Sequence, residues 1–239
     1  MNLSESIKEK ALAHAKEEDP KESAGLVHIV KGRERYFPCN NIADEPELHF
    51  CLDPNDYLEC ERQGEIIAVI HSHPKTNEKA SEADKVACER NNVPWFIVNP
   101  KTERWGYYEP SGFVLPYVGR QWAHGIVDCF TLARDFYKRE FNIEFFDYNR
   151  KDDWWLKGEA LYLDNFAKEG MREIDIEEVR YGDAFLMNIE SPTPNHAAIY
   201  LGENLILHHV QKRLSSRDVY KWGGYYHKMT AKVLRHESR

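Results

Sequence analysis

No apolar run in this chain approaches the ~20 residues that a membrane-spanning helix needs, so no span is expected. Cysteine is scarce. There are five, at positions 39, 51, 60, 88 and 129, with no CxxC pair, and an odd, unpatterned set argues against a disulfide framework. Cys39, Cys51, Cys60 and Cys88 are expected to be ordinary half-buried thiols. Positive charge is also in deficit: Lys and Arg number 32 against 40 Asp and Glu, a net charge of −8, and the basic residues are scattered. A nucleic-acid partner would ask for a basic stripe, and there is none. No internal repeat is present. The chain opens on Asn2-Leu-Ser-Glu-Ser-Ile-Lys-Glu-Lys10, which reads as a charged amphipathic helix and not as an apolar leader, so synthesis in a cytoplasm is expected.

What remains is a globular composition, 42% hydrophobic with 13% aromatic residues. The length fits one large domain or two small ones. Glu109-Pro-Ser-Gly-Phe-Val-Leu-Pro116 has the composition of a linker. A boundary near residue 113 is expected, giving domains 1–113 and 114–239, each large enough for its own core.

The first chemistry-bearing run is His71-Ser-His73-Pro-x6-Ser81-x2-Asp84. The apolar segment Glu65-Ile-Ile-Ala-Val-Ile70 leads into it and reads as a buried strand. Two residues apart on an extended chain, His71 and His73 share a face. With Asp84 they offer three metal ligands, the number a catalytic zinc uses when a fourth position stays open. Ser81-Glu-Ala-Asp84 is equally a helix start, with Ser81 as N-cap and Asp84 three residues on. That cap alone leaves two histidines and a proline at a strand end unexplained.

The second run is Asp128-Cys129-Phe-Thr-Leu132, followed by apolar residues at helical spacing (Phe130, Leu132, Ala133, Phe136, Tyr137). A cysteine in the first turn of a helix has its thiolate favoured by the dipole, which predicts a depressed pKa and a nucleophile. A core cysteine is the plain alternative. Downstream, Asn195-His196-Ala-Ala-Ile-Tyr-Leu-Gly202 and Leu205-Ile-Leu-His208-His209 read as two strands joined at a turn. A histidine on each could supply a base and a group that orients it, unless one or both face solvent.

The coarse pattern predicts a helix ending before Pro20, strands at 24–30 and 35–42, and a helix from Asp53-Pro54 to about Gln63. The ligand strand, the Ser81 helix and strands at 95–98 and 105–108 follow. In the second half come the Cys129 helix, a helical stretch over 152–168, and strands near 183–189, 196–202, 205–210 and 230–236. Trp154, Trp155, Tyr162 and Phe166 are expected in the core or at its rim.

The spacing His-x-His-x7-Ser-x2-Asp resembles the motif of the JAMM (MPN+) metallopeptidases. Asp19-Pro-Lys-Glu22-Ser-Ala-Gly25 is similar to that family's upstream Pro-x-Glu-x-x-Gly. The resemblance implies a zinc ion held by His71, His73 and Asp84, Glu22 as general base and Ser81 bonding the developing oxyanion. Glu5, Glu9, Glu17, Glu18 and Glu65 stand as alternatives to Glu22. The second set resembles the NlpC/P60 cysteine peptidases, in Asp128-Cys129-x-x-Leu132, Tyr181-Gly182-Asp183 and His196-x-x-Ile-Tyr-x-Gly202. It implies Cys129 as nucleophile, His196 as base and His208 orienting it, with His209 a rival for that third place. Two departures are visible. Phe130-Thr131 stands where the family has Ser-Gly, and Trp122 where it often has a tyrosine.

The implied fold is two-domain: an α/β MPN-like unit with a mixed sheet and flanking helices, then an α+β papain-like unit. Together the two motif sets, in this order, resemble a family of phage tail assembly proteins. That implies other tail tip proteins as partners, one of them with a ubiquitin-like domain, and peptidoglycan stem peptide as substrate, cut at the D-γ-glutamyl–diaminopimelate link. It also implies residence in the host bacterial cytoplasm during assembly and then in the virion tail tip. The competing expectation is a structural tail component with one or both sites inactive.

Overall fold

A computed structural model describes all residues, Met1–Arg239. It divides into two compact units, Met1–Val114 and Leu115–Arg239. No helix is long and apolar enough to cross a membrane.

In the first unit the elements run α1 (Glu5–Glu18), β1 (Ala24–Val30), β2 (Arg33–Cys39), α2 (Pro54–Gln63), β3 (Glu65–Ser72), α3 (Glu82–Asn91), β4 (Trp95–Val98) and β5 (Trp105–Tyr108). The sheet order is β2-β1-β3-β4-β5, with β3 and β4 parallel and the other pairs antiparallel. It is a mixed sheet with helices on both faces. Alternation along the strands sorts the core. Val27, Ala68 and Ile70 pack with Leu3, Ile7 and Ala11 of the α1 segment. Leu26 and Val69 pack with Cys60 of α2 and Cys88 of α3. His71 and His73 follow Val69 at a spacing of two and so lie on the α3 side. Asp84 and Cys88, four apart, are the buried face of α3.

The helix starts follow local chemistry. Asp53 caps α2 by accepting the Asn55 N–H at 2.8 Å, with Pro54 at the first helical position. Ser81 and Asp84 form a reciprocal capping box at the start of α3, which ends at Asn92 with φ 53°.

The second unit holds α4 (Cys129–Phe141), α5 (Leu161–Asn165), β6 (Met171–Glu173), β7 (Ala184–Met187), β8 (His196–Gly202), β9 (Leu205–His208), β10 (Ser216–Val219), α6 (Tyr225–Met229) and β11 (Thr230–His236). Its sheet is antiparallel, in the order β10-β9-β8-β7-β11-β6. Leu132, Phe136 and Tyr137 of α4 pack on Leu186, Ala197, Ile199 and Leu207. The opposite face, with Phe185, Ala198, Ile206 and Tyr220, receives Tyr226 and Met229 of α6. This is an α+β unit.

The continuous helix expected over 152–168 is not formed. A 3-10 turn at Trp154–Leu156 is cut off from α5 by Gly158, whose φ of 85° no right-handed helix can accommodate. Strands β6 and β10 and the short α6 had no strong pattern in the sequence.

One glycine governs the loop that follows His73. A Cβ on Gly106 of β5 would stand 1.7 Å from the Glu78 backbone oxygen, so only a bare Cα lets the loop lie on the strand. Gly106→Ala is expected to lower first-unit stability by about 1–3 kcal/mol, the usual cost of forced backbone displacement. Urea unfolding of the full chain measures it.

Candidate functional site

The first site forms where β1, β3 and α3 meet. Antiparallel pairing sets Ala24 opposite His71, so two residues outward Glu22 comes opposite His73. The Ser23 N–H donates to Ser72 Oγ at 2.8 Å, and the Ser72 N–H to Ser23 O at 3.0 Å, holding these strand ends together. The His73 N–H donates to Val98 O at 2.9 Å, extending the parallel ladder with β4.

Three ligand atoms converge there. His71 Nε2 and His73 Nε2 are 3.0 Å apart, and the two Asp84 oxygens lie 3.3 and 3.4 Å from them. All three residues are buried. The His73 Nδ1–H donates to Asn77 O at 2.8 Å, which in the neutral ring leaves Nε2 as a lone pair. His71 Nδ1 is buried without a partner. Phe50 stacks on the His71 ring at 4.6 Å, and Trp95 meets it edge-on at 5.3 Å.

This donor set fits a zinc ion. Tetrahedral ligands about 2.0–2.1 Å from zinc stand about 3.3 Å from one another, close to the spacings observed. Two ring nitrogens and a carboxylate held this close, away from water, need a proton or a cation among them. Burial works to raise the Asp84 carboxyl, but the two imidazoles hold it well below the usual carboxylate range. Burial lowers His71. It also works against charge on His73, yet Asp84 and Glu22 raise that ring.

Glu22 is buried beside these residues, and burial together with Asp84 pushes its carboxyl up to about 7 against the opposing pull of His73. Ser81 Oγ accepts the Asp84 N–H at 3.1 Å, so the serine is a helix cap. Its own hydroxyl proton is not used in that bond.

The second site lies at the N-terminus of α4. Asp128 Oδ1 accepts the Thr131 N–H at 2.9 Å, and Thr131 Oγ1 accepts the Asp128 N–H at 2.8 Å. Asp128 Oδ2 takes the Gly125 N–H at 2.9 Å and the Arg150 Nε–H at 2.8 Å. Arg150 also donates to the Gly125 and Tyr148 carbonyls, and its guanidinium lies 4.7 Å from the Phe130 ring centre. Phe130 and Thr131 thus have local work: one covers the buried cation, the other closes the cap.

Cys129 is buried. Its sulfur lies 3.3 Å from the Tyr162 hydroxyl. The expectation of a depressed thiol is corrected here. Burial and the neighbouring Asp128 carboxylate push Cys129 up to about 11, against the opposing pull of the Tyr162 hydroxyl, the Ala197 backbone and Arg150. Burial and the adjacent His208 and His209 press His196 down to about 3.

His196 Nε2 and His208 Nδ1 are 3.1 Å apart. The Nε2–H of His209 instead donates to the Arg213 carbonyl at 3.0 Å, while its ring packs against Trp122 at 5.1 Å. Cys129, His196, Trp122, Trp154, Trp155 and Tyr226 line one cavity of about 600 Å³.

Sequence inspection missed Arg150 and the contact of Tyr162 with the sulfur. Tyr162 is core as expected, and its hydroxyl also touches Cys129. Neither residue carried a local signal, since 22 positions separate Arg150 from Asp128 and 33 separate Tyr162 from Cys129.

The family model for prokaryotic homologs of the JAB domain matches residues 4–108, and that of the NlpC/P60 family matches residues 105–235. The chain is 37% identical over 231 residues to tail tip assembly protein K of Escherichia phage N15, covering 95% of this chain and 92% of that protein. It is 40% identical over 173 residues to tail tip assembly protein K of Escherichia phage lambda, covering 72% and 84% respectively. Among solved structures, protein DSY2949 of Desulfitobacterium hafniense aligns with TM-score 0.38 at 27% identity, over 44% of this chain and 79% of its own.

The electrostatics set an acid limit for the second unit. His196, His208 and His209 all have folded pKa values below the free value of 6.5, so their neutral forms favour folding. That stability is complete above pH 6.5 and is lost as pH falls toward the folded values, about 3 for His196. Urea midpoints of the second unit are expected to fall between pH 6.5 and 4, above the carboxylate range. His196→Gln, with no proton to gain, should give a shallower fall.

Proposed function

The chain belongs to the family of phage tail tip assembly proteins K, with a JAB domain followed by an NlpC/P60 domain, and we propose that it carries two hydrolytic sites used in building and deploying the tail tip. One is a zinc-dependent peptidase or isopeptidase. The other is a thiol peptidase that cleaves peptidoglycan stem peptides. The supporting observation is that each unit keeps, buried, the residues its chemistry needs: His71, His73 and Asp84 come together in the first, and in the second Cys129 and His196 line one cavity with His208 3.1 Å from His196.

In the first unit His71, His73 and Asp84 would hold zinc. Bound there, the ion supplies Lewis acidity toward a carbonyl and acidifies a water. Glu22, poised near neutrality, takes a proton at its carboxylate and returns it to the leaving amine. The Ser81 hydroxyl donates to the oxygen that gains charge. The surrounding Phe50 and Trp95 limit water at His71.

In the second unit His196 takes the Cys129 proton as the sulfur attacks the scissile carbonyl. The Tyr162 hydroxyl reaches the sulfur and steadies its charge. The imidazolium then protonates the leaving amine, and water hydrolyses the thioester. The D-γ-glutamyl–diaminopimelate link is the proposed scissile bond. Partners are other tail tip proteins, and the first site's substrate is a bond in one of them, such as that tethering a ubiquitin-like domain. Work in the host cytoplasm and residence in the tail tip both agree with this role.

The alternative is a structural tail component with one or both sites inactive. The raised Cys129 and depressed His196 favour it, because a neutral thiol beside a weak base is a poor resting nucleophile.

Purified stem peptide incubated with the zinc-loaded chain separates the two. Cleavage is expected to fall by about 10⁴-fold or more in Cys129→Ala and to persist in His73→Ala. Bound zinc, measured by mass spectrometry of metals, is expected at about one per chain and to be lost in His71→Ala. An intact wild-type chain that leaves the peptide uncut would favour the structural role.

A further inference from the structure

Antiparallel register aligns three polar side chains on one face of the second sheet. Ala198 of β8 lies opposite His208 of β9, and Ser216 of β10 lies opposite the same residue. His196, two before Ala198, and Asp218, two after Ser216, therefore fall on the same face as His208. This is the α6 side of the sheet, where Ala198 and Ile206 pack.

The three form a continuous hydrogen-bonded row. His196 Nε2 is 3.1 Å from His208 Nδ1, and His208 Nε2 is 3.0 Å from Asp218 Oδ2. The carboxylate is itself held. The Tyr226 hydroxyl donates to Oδ2 at 2.8 Å and the Ser216 hydroxyl to Oδ1 at 3.3 Å. The Tyr226 ring meets His208 edge-on at 4.9 Å, fixing that imidazole from a second side.

The direction of each bond follows from chemistry. An ionised carboxylate only accepts, so His208 must carry its proton on Nε2. In a neutral ring Nδ1 is then a lone pair and must accept from the Nε2–H of His196. That leaves His196 Nδ1 as the nitrogen able to take a proton.

We propose that Asp218 is a positioning residue for the thiol site: through His208 it fixes His196 in the Nε2–H tautomer, so that Nδ1 is the proton-accepting nitrogen. This rests on the assignment of Cys129 and His196 given above. The carboxylate has a second effect. When His196 becomes an imidazolium, the charge sits at one end of a row whose other end is anionic. The groups facing His208 from neighbouring elements are His196 on β8, Asp218 on β10, Tyr226 on α6, and Arg213 and His209 in the segment after β9. Of these only Asp218 is anionic. Asp128, nearer the thiol, is bound to Arg150.

Asp218 lies on an edge strand with its side chain 37% exposed, so its replacement by alanine is expected to fold. The direct test needs no variant. Long-range proton–nitrogen correlation spectra of the full chain with ¹⁵N-labelled histidine report which ring nitrogen is protonated. The expected result at neutral pH is the Nε2–H form for both His208 and His196. In Asp218→Ala both rings should lose that single tautomer. Alkylation of Cys129 by iodoacetamide, followed on the Cys129 peptide, should slow roughly tenfold or more.

A wild-type His208 protonated on Nδ1 would overturn the proposal. So would an Asp218→Ala chain with unchanged tautomers. The assignment of the site is tested separately by His196→Ala. If that variant leaves Cys129 reactivity unchanged while Asp218→Ala still shifts the tautomers, the row stands and the thiol-peptidase assignment fails. If His196→Ala slows alkylation but Asp218→Ala alters neither tautomer nor rate, only the role of Asp218 fails.

Discussion

Desolvation is the constraint that both sites answer. A charged or polar side chain taken out of water costs several kcal/mol unless a partner meets it. At the end of β3 two imidazoles and a carboxylate are buried against one another. At the start of α4 the buried Asp128 carboxylate is answered by three N–H groups, those of Arg150, Gly125 and Thr131. The surrounding structure serves to keep these partners in register.

The two units solve the problem with different scaffolds. In the first, a mixed sheet brings His71 and His73 from a strand end to meet Asp84 in the first turn of a helix, so the same Ser81–Asp84 cap that starts α3 orients the carboxylate toward the two histidines. In the second, an antiparallel sheet presents a polar row, and the helix brings the sulfur to the start of β8. The Asp128–Arg150 pair, the Phe130 ring and the Tyr162 hydroxyl then form a run of contacts that ends on the thiol.

Much of the first site was legible because its ligands lie within fourteen residues and obey strand and helix spacing. Glu22 was named from its resemblance to the upstream family motif, with five other glutamates open, and its place beside His73 depends on a β1–β3 register that no local pattern fixes. The helix starts at Asp53, Ser81 and Asp128 were legible from their cap residues. Arg150, Tyr162 and Asp218 were not. Each reaches its site from a distant segment, and two of them lie in or beside the stretch that reads as one helix but breaks at Gly158. The charge state of Cys129 was misjudged for a related reason: a helix N-terminus is visible in sequence, whereas full burial and an adjacent carboxylate are tertiary facts.

The central claim is that buried polar groups at strand ends converge on a function and do not merely satisfy one another. Anomalous diffraction at the zinc edge, from crystals of the full chain grown with zinc, tests it most directly. A peak bounded by His71 Nε2, His73 Nε2 and the Asp84 carboxylate is the predicted result. Crystals with zinc bound elsewhere, and density at these three residues matching only a hydrogen-bonded cluster, would contradict it.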